Sequence, residues 1–195
     1  MTITETDRIE MADSDRSELD ELFEPLYEIV PEGFKAEVVE GAIHMSPQRD
    51  THWMIIRIVL SQLEARFGLR SKIMSDVRLD LPGRLNGFCP DLFKLSDEAE
   101  KDGRNRWRYQ DVEFVCEVIS QGTARNDYGA KRDAYAEGEV PVYLLVDPYT
   151  GKCHLFTVPK DGEYRAERTL DFGEPVDLTD TVLGLTLNTD MFPRD

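Results

Sequence analysis

Positive charge is scarce in this chain, and so are cysteine, histidine and long apolar runs. Across 195 residues, 23 lysines and arginines face 39 aspartates and glutamates, for a formal net charge of −16. A protein that grips nucleic acid by charge alone shows the opposite balance, because each phosphate contact needs a cation. No basic stripe is visible, so tight autonomous DNA binding is not expected. The three cysteines, Cys89, Cys116 and Cys153, are widely spaced and form no Cys-x-x-Cys pair. That spacing argues against a disulfide framework and a thiolate zinc site, and leaves reduced thiols filling a core. No apolar run approaches the roughly 18 residues of a membrane span. The opening MTITETDRIEMADSDRSELDELFE has neither a basic leader nor an apolar core, so a cytoplasmic protein is expected. No internal repeat is present.

What is there suits one domain with a substantial core: 41% hydrophobic residues beside 32% charged ones. The acidity is concentrated at the ends. Residues 1–40 hold 13 acids and 3 bases, residues 160–195 hold 9 and 4, and the middle is nearly balanced at 17 against 16. The middle also carries local bases such as Arg104, Arg106 and Arg108. Residues 1–24 are expected to form an acidic, mobile tail, and residues 25–195 a single domain. Within SELDELFEPLY, Leu19, Leu22, Phe23 and Leu26 recur at helical spacing, so a short helix is expected from about Ser17.

Further along, KAEVVEGAIHMSP reads as a hairpin turning at Glu40-Gly41. From Thr51 the period changes: Trp53, Ile56, Val59, Leu60, Leu63 and Phe67 share one helical face, which Gly68 ends. KIMSDVRLDLPG and NGFCPDLFKLS read as two strands about a Pro82-Gly83 turn, and the polar segment 97–111 as an exposed loop. Residues 112–119 form a strand, about 125–137 a helix closed by Gly138, and VPVYLLVDP and KCHLFTV two more strands. The tail 160–195 alternates turn residues with short apolar pieces. Helix, strand, strand, strand, helix, strand is an α/β arrangement on a mixed sheet.

The strand FVCEVIS poses a chemical problem, because Glu117 interrupts an otherwise apolar run. Asp91 in FCPDLFKL is its natural counterpart. Antiparallel pairing with these two opposite each other puts Leu95 against Glu113 and leaves the polar stretch as the connection. Opposed residues on one face have Cβ atoms about 4.5–5.5 Å apart. Two carboxylates that close repel unless one takes a proton or a cation sits between them. Mg²⁺ is commonly held by one or two carboxylates with water and substrate phosphate. Pro90, lacking an N–H, marks an irregular strand start where Asp91 can reach a ligand. Lys131 shares a helical face with Tyr128 and Tyr135. If that face packs on the sheet, the ammonium points back toward Glu117, where it can position water or stabilise phosphate charge.

Bland readings stand beside these. Glu117 and Lys131 can form a structural ion pair, and Asp91 after proline can be a turn residue. His52, near a helix start, can contact substrate or simply pack, and packing is the simpler reading. His44 and His154 lie in strands without a metal-like partner. Ser120 and Thr123 organise the strand-to-helix turn.

The run PDLFKL followed by EVISQGTARNDYGAKRDAYAEGEVPVYLLVDP resembles the Uma2 restriction-endonuclease family, as does AEVVEGAIHMSPQRDTH, over roughly residues 35–158. The resemblance implies the PD-(D/E)xK nuclease fold: a restriction-endonuclease-like core with helices packed on a mixed central sheet, preceded by a β-hairpin. In that superfamily a metal is held by the aspartate, the glutamate and the following carbonyl, which correspond here to Asp91, Glu117 and Val118. The usual lysine two residues after the glutamate is absent, since Ile119 stands there. Uma2-like sequences supply it from the next helix, at Lys131. Glu37 matches a glutamate of the family's opening hairpin and can complete the acidic cluster. Ala42, Ala130, Val142 and Leu144 depart from common family residues without removing a presumed ligand.

The leading expectation is a Mg²⁺- or Mn²⁺-dependent endonuclease-like phosphodiester hydrolase acting on DNA, working as a homodimer or other homo-oligomer. Asp91, Glu117 and Lys131 would be its catalytic residues. The alternative is a non-catalytic binding or regulatory module that keeps the fold, engaging a protein partner through the acidic surface. A small-phosphoester hydrolase is a third reading.

Overall fold

Side-chain alternation along one strand organises the molecule. The structure is a computed structural model that describes residues 11–47 and 49–195. Strand β7 (Val112–Val118) sends Phe114, Cys116 and Val118 to one apolar cluster and Val115 to another. Such alternation on a strand covered on both faces is what period two requires.

The chain opens with α1 (Asp13–Ile29), then the hairpin β1 (Phe34–Val39) and β2 (Ala42–Pro47), then α2 (Asp50–Phe67). Four short strands follow: β3 (Ile73–Met74), β4 (Leu79–Leu81), β5 (Asn86–Phe88) and β6 (Leu92–Leu95). After β7 come α3 (Ala124–Tyr128), α4 (Ala130–Glu137), β8 (Val142–Asp147), β9 (Lys152–Lys160) and β10 (Glu163–Asp171). A small hairpin, β11 (Val176–Leu178) with β12 (Leu185–Leu187), closes the fold.

Six strands form the main sheet in the order β10-β9-β8-β7-β6-β3, antiparallel throughout except for the parallel β7–β8 pair that α3 and α4 connect. A second sheet, β2-β1-β5-β4, stands beside it. One face of the main sheet, with Leu92, Phe114, Cys116, Leu144 and Val146, packs on Ile55, Ile56, Val59 and Leu63 of α2. The other, with Phe93, Val115, Tyr143 and Leu145, packs with Tyr135 of α4, Leu19 and Phe23 of α1 and Val38 of β1. Among the described residues, no helix is long and apolar enough to cross a membrane.

Several expectations need correction. Residues 13–24 belong to α1 rather than to a mobile tail, and residues 1–10 lie outside the described residues. Leu19, Phe23 and Leu26 recur at helical spacing and are buried. The approach is close: a Cβ on Gly87 of β5 would lie 2.6 Å from the Phe23 ring, so only glycine fits there. The helix therefore starts earlier than Ser17. Each of the two expected strands around Pro82-Gly83 is two strands. β4 and β5 pair about that turn in the second sheet, whereas β3 and β6 pair in the main sheet. The helix expected over 125–137 is broken at Gly129, whose φ of −118° and ψ of −102° are not helical. The loop 97–111 is tied down: Asp20 of α1 holds Arg106 at 2.8 Å and Arg104 at 3.5 Å. Those two bases thus face an acid of their own chain. All three cysteines are buried and free.

Candidate active site

Asp91 lies where the chain leaves one sheet for the other. Pro90 cannot donate a ladder hydrogen bond, and its carbonyl accepts from Asp76 N at 2.9 Å as the strands part. Beyond it β6 pairs with β7 in the expected register, Leu92 opposite Cys116 and Phe93 opposite Val115. Extending that register by one residue sets Asp91 against Glu117. Asp91 N donates to Glu117 Oε2 at 3.3 Å, and Val118 N to Asp91 Oδ2 at 2.7 Å. The register slips at a bulge between Lys94 and Leu95, so Leu95 faces Val112 rather than Glu113. This slip is distant from the acids and leaves them aligned.

Four further elements, α2, α3, α4 and β1, converge on the same place. From α4, Lys131 Nζ lies 2.6 Å from Glu117 Oε1, 3.1 Å from both Glu37 oxygens and 3.1 Å from Asp127 Oδ1. One turn on, Tyr135 donates to Glu117 Oε1 at 2.7 Å. From β1, Glu37 Oε1 accepts from Cys89 N at 2.8 Å. Lys35, two residues earlier on the same face of that strand, puts Nζ 2.5 Å from Asp91 Oδ1 and 3.7 Å from Glu117 Oε2. His52 in the first turn of α2 brings Nε2 within 2.8 Å of Asp91 Oδ2. Asp91, Glu117 and Lys131 are each no more than 2% exposed.

The structure therefore brings Asp91, Glu117, Lys131, Glu37 and His52 together. It adds Lys35, Asp127 and Tyr135. Of these, Asp127 carried a signal in the sequence, as an acid four residues before Lys131 on one helical face. Lys35 carried a weaker one, since period two puts it on the face of Glu37. Tyr128, expected to share the Lys131 face, instead donates to Asp147 at 3.0 Å and approaches His154 at 3.2 Å, away from the cluster. The side chain of Val118 belongs to the α2-facing core and its N–H serves Asp91.

Four buried carboxylates (Glu37, Asp91, Glu117 and Asp127) face two ammoniums, that of the buried Lys131 and that of Lys35, whose side chain is 8% exposed. Burial disfavours every one of these charges. For Asp91 the burial penalty is outweighed by Lys35 and His52, so its carboxyl is held well below the usual range. Burial likewise opposes the Glu37 charge, but Lys131, Lys35 and the Cys89 N–H together lower its pKa. Burial wins at Glu117, with Asp91 and Glu37 adding to it, and pushes that carboxyl up to about 8. Asp127 is also raised, chiefly by burial. Both lysines are held firmly charged despite burial, Lys131 chiefly by Glu117 and Lys35 chiefly by Asp91. The crowding of acids is thus felt at Glu117 and Asp127, whose carboxyls are raised, while Asp91 and Glu37 are lowered.

With all four acids ionised, the two ammoniums leave an excess of two negative charges, the charge of one divalent ion, and the carboxylate oxygens are hard donors of the kind Mg²⁺ and Mn²⁺ prefer. In chemistry and charge the residues fit such an ion. Among the described residues no group of three or more histidine, cysteine, aspartate and glutamate side chains is placed to hold a metal ion as it stands, and ammoniums contact both Asp91 and Glu117. A cavity of about 320 Å³ adjoins the cluster, with Lys35, Asp76, Arg78 and Cys89 among its lining. A larger one of about 540 Å³, near Tyr109, Glu137 and Asp161, contains none of these residues.

Strand order and buried cluster together make a mixed α/β fold with a charged centre at the junction of its sheets. The crystal structure of a putative nuclease belonging to DUF820 from Anabaena variabilis ATCC 29413 is similar to it, with a TM-score of 0.66 at 14% identity, over 88% of this chain and 94% of that one. The family model of Uma2, described as putative restriction endonuclease, matches residues 20–190, and the chain belongs to that family. No curated protein matches it.

Proposed function

We propose that the protein is a Mg²⁺- or Mn²⁺-dependent endonuclease-like hydrolase of phosphodiester bonds, with DNA as substrate. One observation carries this reading: four carboxylates buried with only two ammoniums, where Asp91 and Glu117 face each other at the ends of β6 and β7. An excess of buried negative charge costs stability without helping the fold. A site that accepts a dication has a reason to keep it.

Asp91 and Glu117 would hold the ion, with Glu37 and the Val118 carbonyl as further donors. A divalent ion there supplies Lewis-acid chemistry, polarising a phosphoryl oxygen and making water a better nucleophile. The chain's own groups prepare the rest. Tyr135 and Lys131 both bind Glu117 Oε1 and fix its orientation. His52 and the Val118 N–H do the same for Asp91 Oδ2. Lys131, kept charged by three carboxylates, is available to neutralise charge developing on the phosphate. Cleaving both strands of a duplex calls for two such centres, so we read the working form as a homodimer.

The test is DNA cleavage with Mn²⁺ or Mg²⁺ by the wild type and by D91A, with circular dichroism confirming the fold. Loss of metal-dependent cleavage in folded D91A is the expected result, and cleavage at the wild-type rate would overturn the assignment. A second reading also has an observation behind it. Each Asp91 and Glu117 oxygen is already engaged by protein donors, as a non-catalytic binding module would permit. Calorimetric titration decides: Mn²⁺ binding that D91A and E117Q abolish favours the hydrolase, and its absence favours the module.

A further inference from the structure

Two lysines serve the cluster, and their settings differ. Lys131 is enclosed by Glu37, Glu117 and Asp127 on a helix packed into the core. Its side chain is 2% exposed, and each partner oxygen lies within 3.1 Å. Lys35 touches the other side of the acids. Its ammonium faces one oxygen of each acid, Asp91 Oδ1 at 2.5 Å and Glu117 Oε2 at 3.7 Å. Metal–oxygen distances for Mg²⁺ are about 2.0–2.1 Å. An ammonium 2.5 Å from Asp91 Oδ1 and a dication on that same oxygen would overlap and repel. Only one cation can occupy the position.

Lys35 also has somewhere to go. It lines the cavity of about 320 Å³ between α1 and β1, whose wall includes Phe23, Leu26, Ala36 and Asp76. Asp76 Oδ1 already lies 4.0 Å from Nζ, on the cavity side, and the Asp76 side chain is 34% exposed. A long, flexible stem lets an ammonium exchange one carboxylate for another without moving the backbone.

We propose that Lys35 is the resident counter-ion of the metal position: it joins Asp91 to Glu117 in the metal-free protein and moves toward Asp76 when a divalent ion binds. The inference deepens the metal-dependent reading and rests on it. Lys35 thereby sets how tightly the site takes an ion, since each binding event must break its contact with Asp91. Asp76 is the receiving group and lowers the cost of that exchange.

The experiment is calorimetric titration of Mn²⁺ into wild type, K35M, D76N and D91N, with melting curves in chelator and in excess Mn²⁺. K35M is expected to bind Mn²⁺ tighter by on the order of tenfold or more, because a competing charge is gone. It should melt lower than wild type in chelator and recover in Mn²⁺. D76N guards against a K35M protein that does not fold. Asp76 has a φ of +54°, which asparagine adopts readily. This variant should keep its metal-free melting temperature and bind Mn²⁺ several-fold more weakly. If D91N abolishes binding while K35M and D76N both match wild type, the metal site stands and the role of Lys35 is overturned. If no protein binds Mn²⁺, the metal-dependent reading falls and takes this inference with it.

Discussion

The two faces of the main sheet are built from the same strands and could hardly differ more. On the α2 side, Leu92, Phe114, Cys116, Val118, Leu144 and Val146 meet Ile55, Ile56, Val59 and Leu63 of that helix, with Phe67 at its end packed against the same cluster. On the other side, Glu117 and Asp91 sit beside Phe93, Val115 and Leu145, and two lysines reach over them. The first face is stabilised by area removed from water, which is insensitive to pH and ions. The second keeps its charges buried only by pairing them. A shift of one residue along β7 exchanges one environment for the other, so Cys116 and Glu117 are neighbours in sequence and strangers in chemistry.

The comparison can be broken most severely at Lys131. K131M leaves Glu37, Glu117 and Asp127 without their common cation and should destabilise the protein by about 3–5 kcal/mol, read by denaturant unfolding at pH 8. A loss below 1 kcal/mol would mean that the cluster simply absorbs protons. On the other face, L144A should cost about 2–5 kcal/mol, with the same value at pH 6 and pH 8 and with or without Mn²⁺. Any clear dependence on pH or metal there would show that the faces are not independent.

A gentler contrast comes from pH. The Glu117 carboxyl keeps its proton up to about 8 when folded, against an unfolded value near 4.5. The unfolded chain therefore binds fewer protons between those values, and this group's contribution to stability falls as pH rises through that window. Melting temperatures of the metal-free protein should decline from pH 6 to pH 8.5. The decline should flatten in E117Q, which keeps the shape and loses the titration. Asp91 and Glu37 act in the opposite sense: being lowered, their contribution is lost as pH falls below the usual carboxylate range. The smallest effect belongs to the periphery. D20N loosens Arg104 and Arg106 from α1 and leaves the buried Arg78 to Asp80 alone; the Arg104 and Arg106 pairs, being partly exposed, are worth about 0–1 kcal/mol each.

Much of this was legible in the chain. Glu117 in an apolar strand, Asp91 after proline and Lys131 on the next helix can each be found by asking why a polar group sits where the period calls for burial. The antiparallel register of β6 against β7 followed from the same alternation and holds from Leu92 to Lys94. Other features were out of reach for definite reasons. The acids of residues 13–24 resemble a mobile tail in composition, and only the fit of Phe23 against Gly87 reveals a buried face. The break at Gly129 is a backbone choice that leaves the helical period on either side almost intact.

By itself the sequence determined the opening hairpin, the helix that follows it, the strands on either side of the second helical stretch and the pair of acids at facing positions, because these depend on residues that are near in the chain or matched by alternation. Only the tertiary structure decided that two sheets meet at Asp91 and that Lys35, 56 residues away, places its ammonium between the acids. No local pattern encodes that distance. It is set by how the β1–β5 pair and α1 pack against the end of the main sheet, and long-range packing of that kind is where the cluster acquires both its charge balance and its way in.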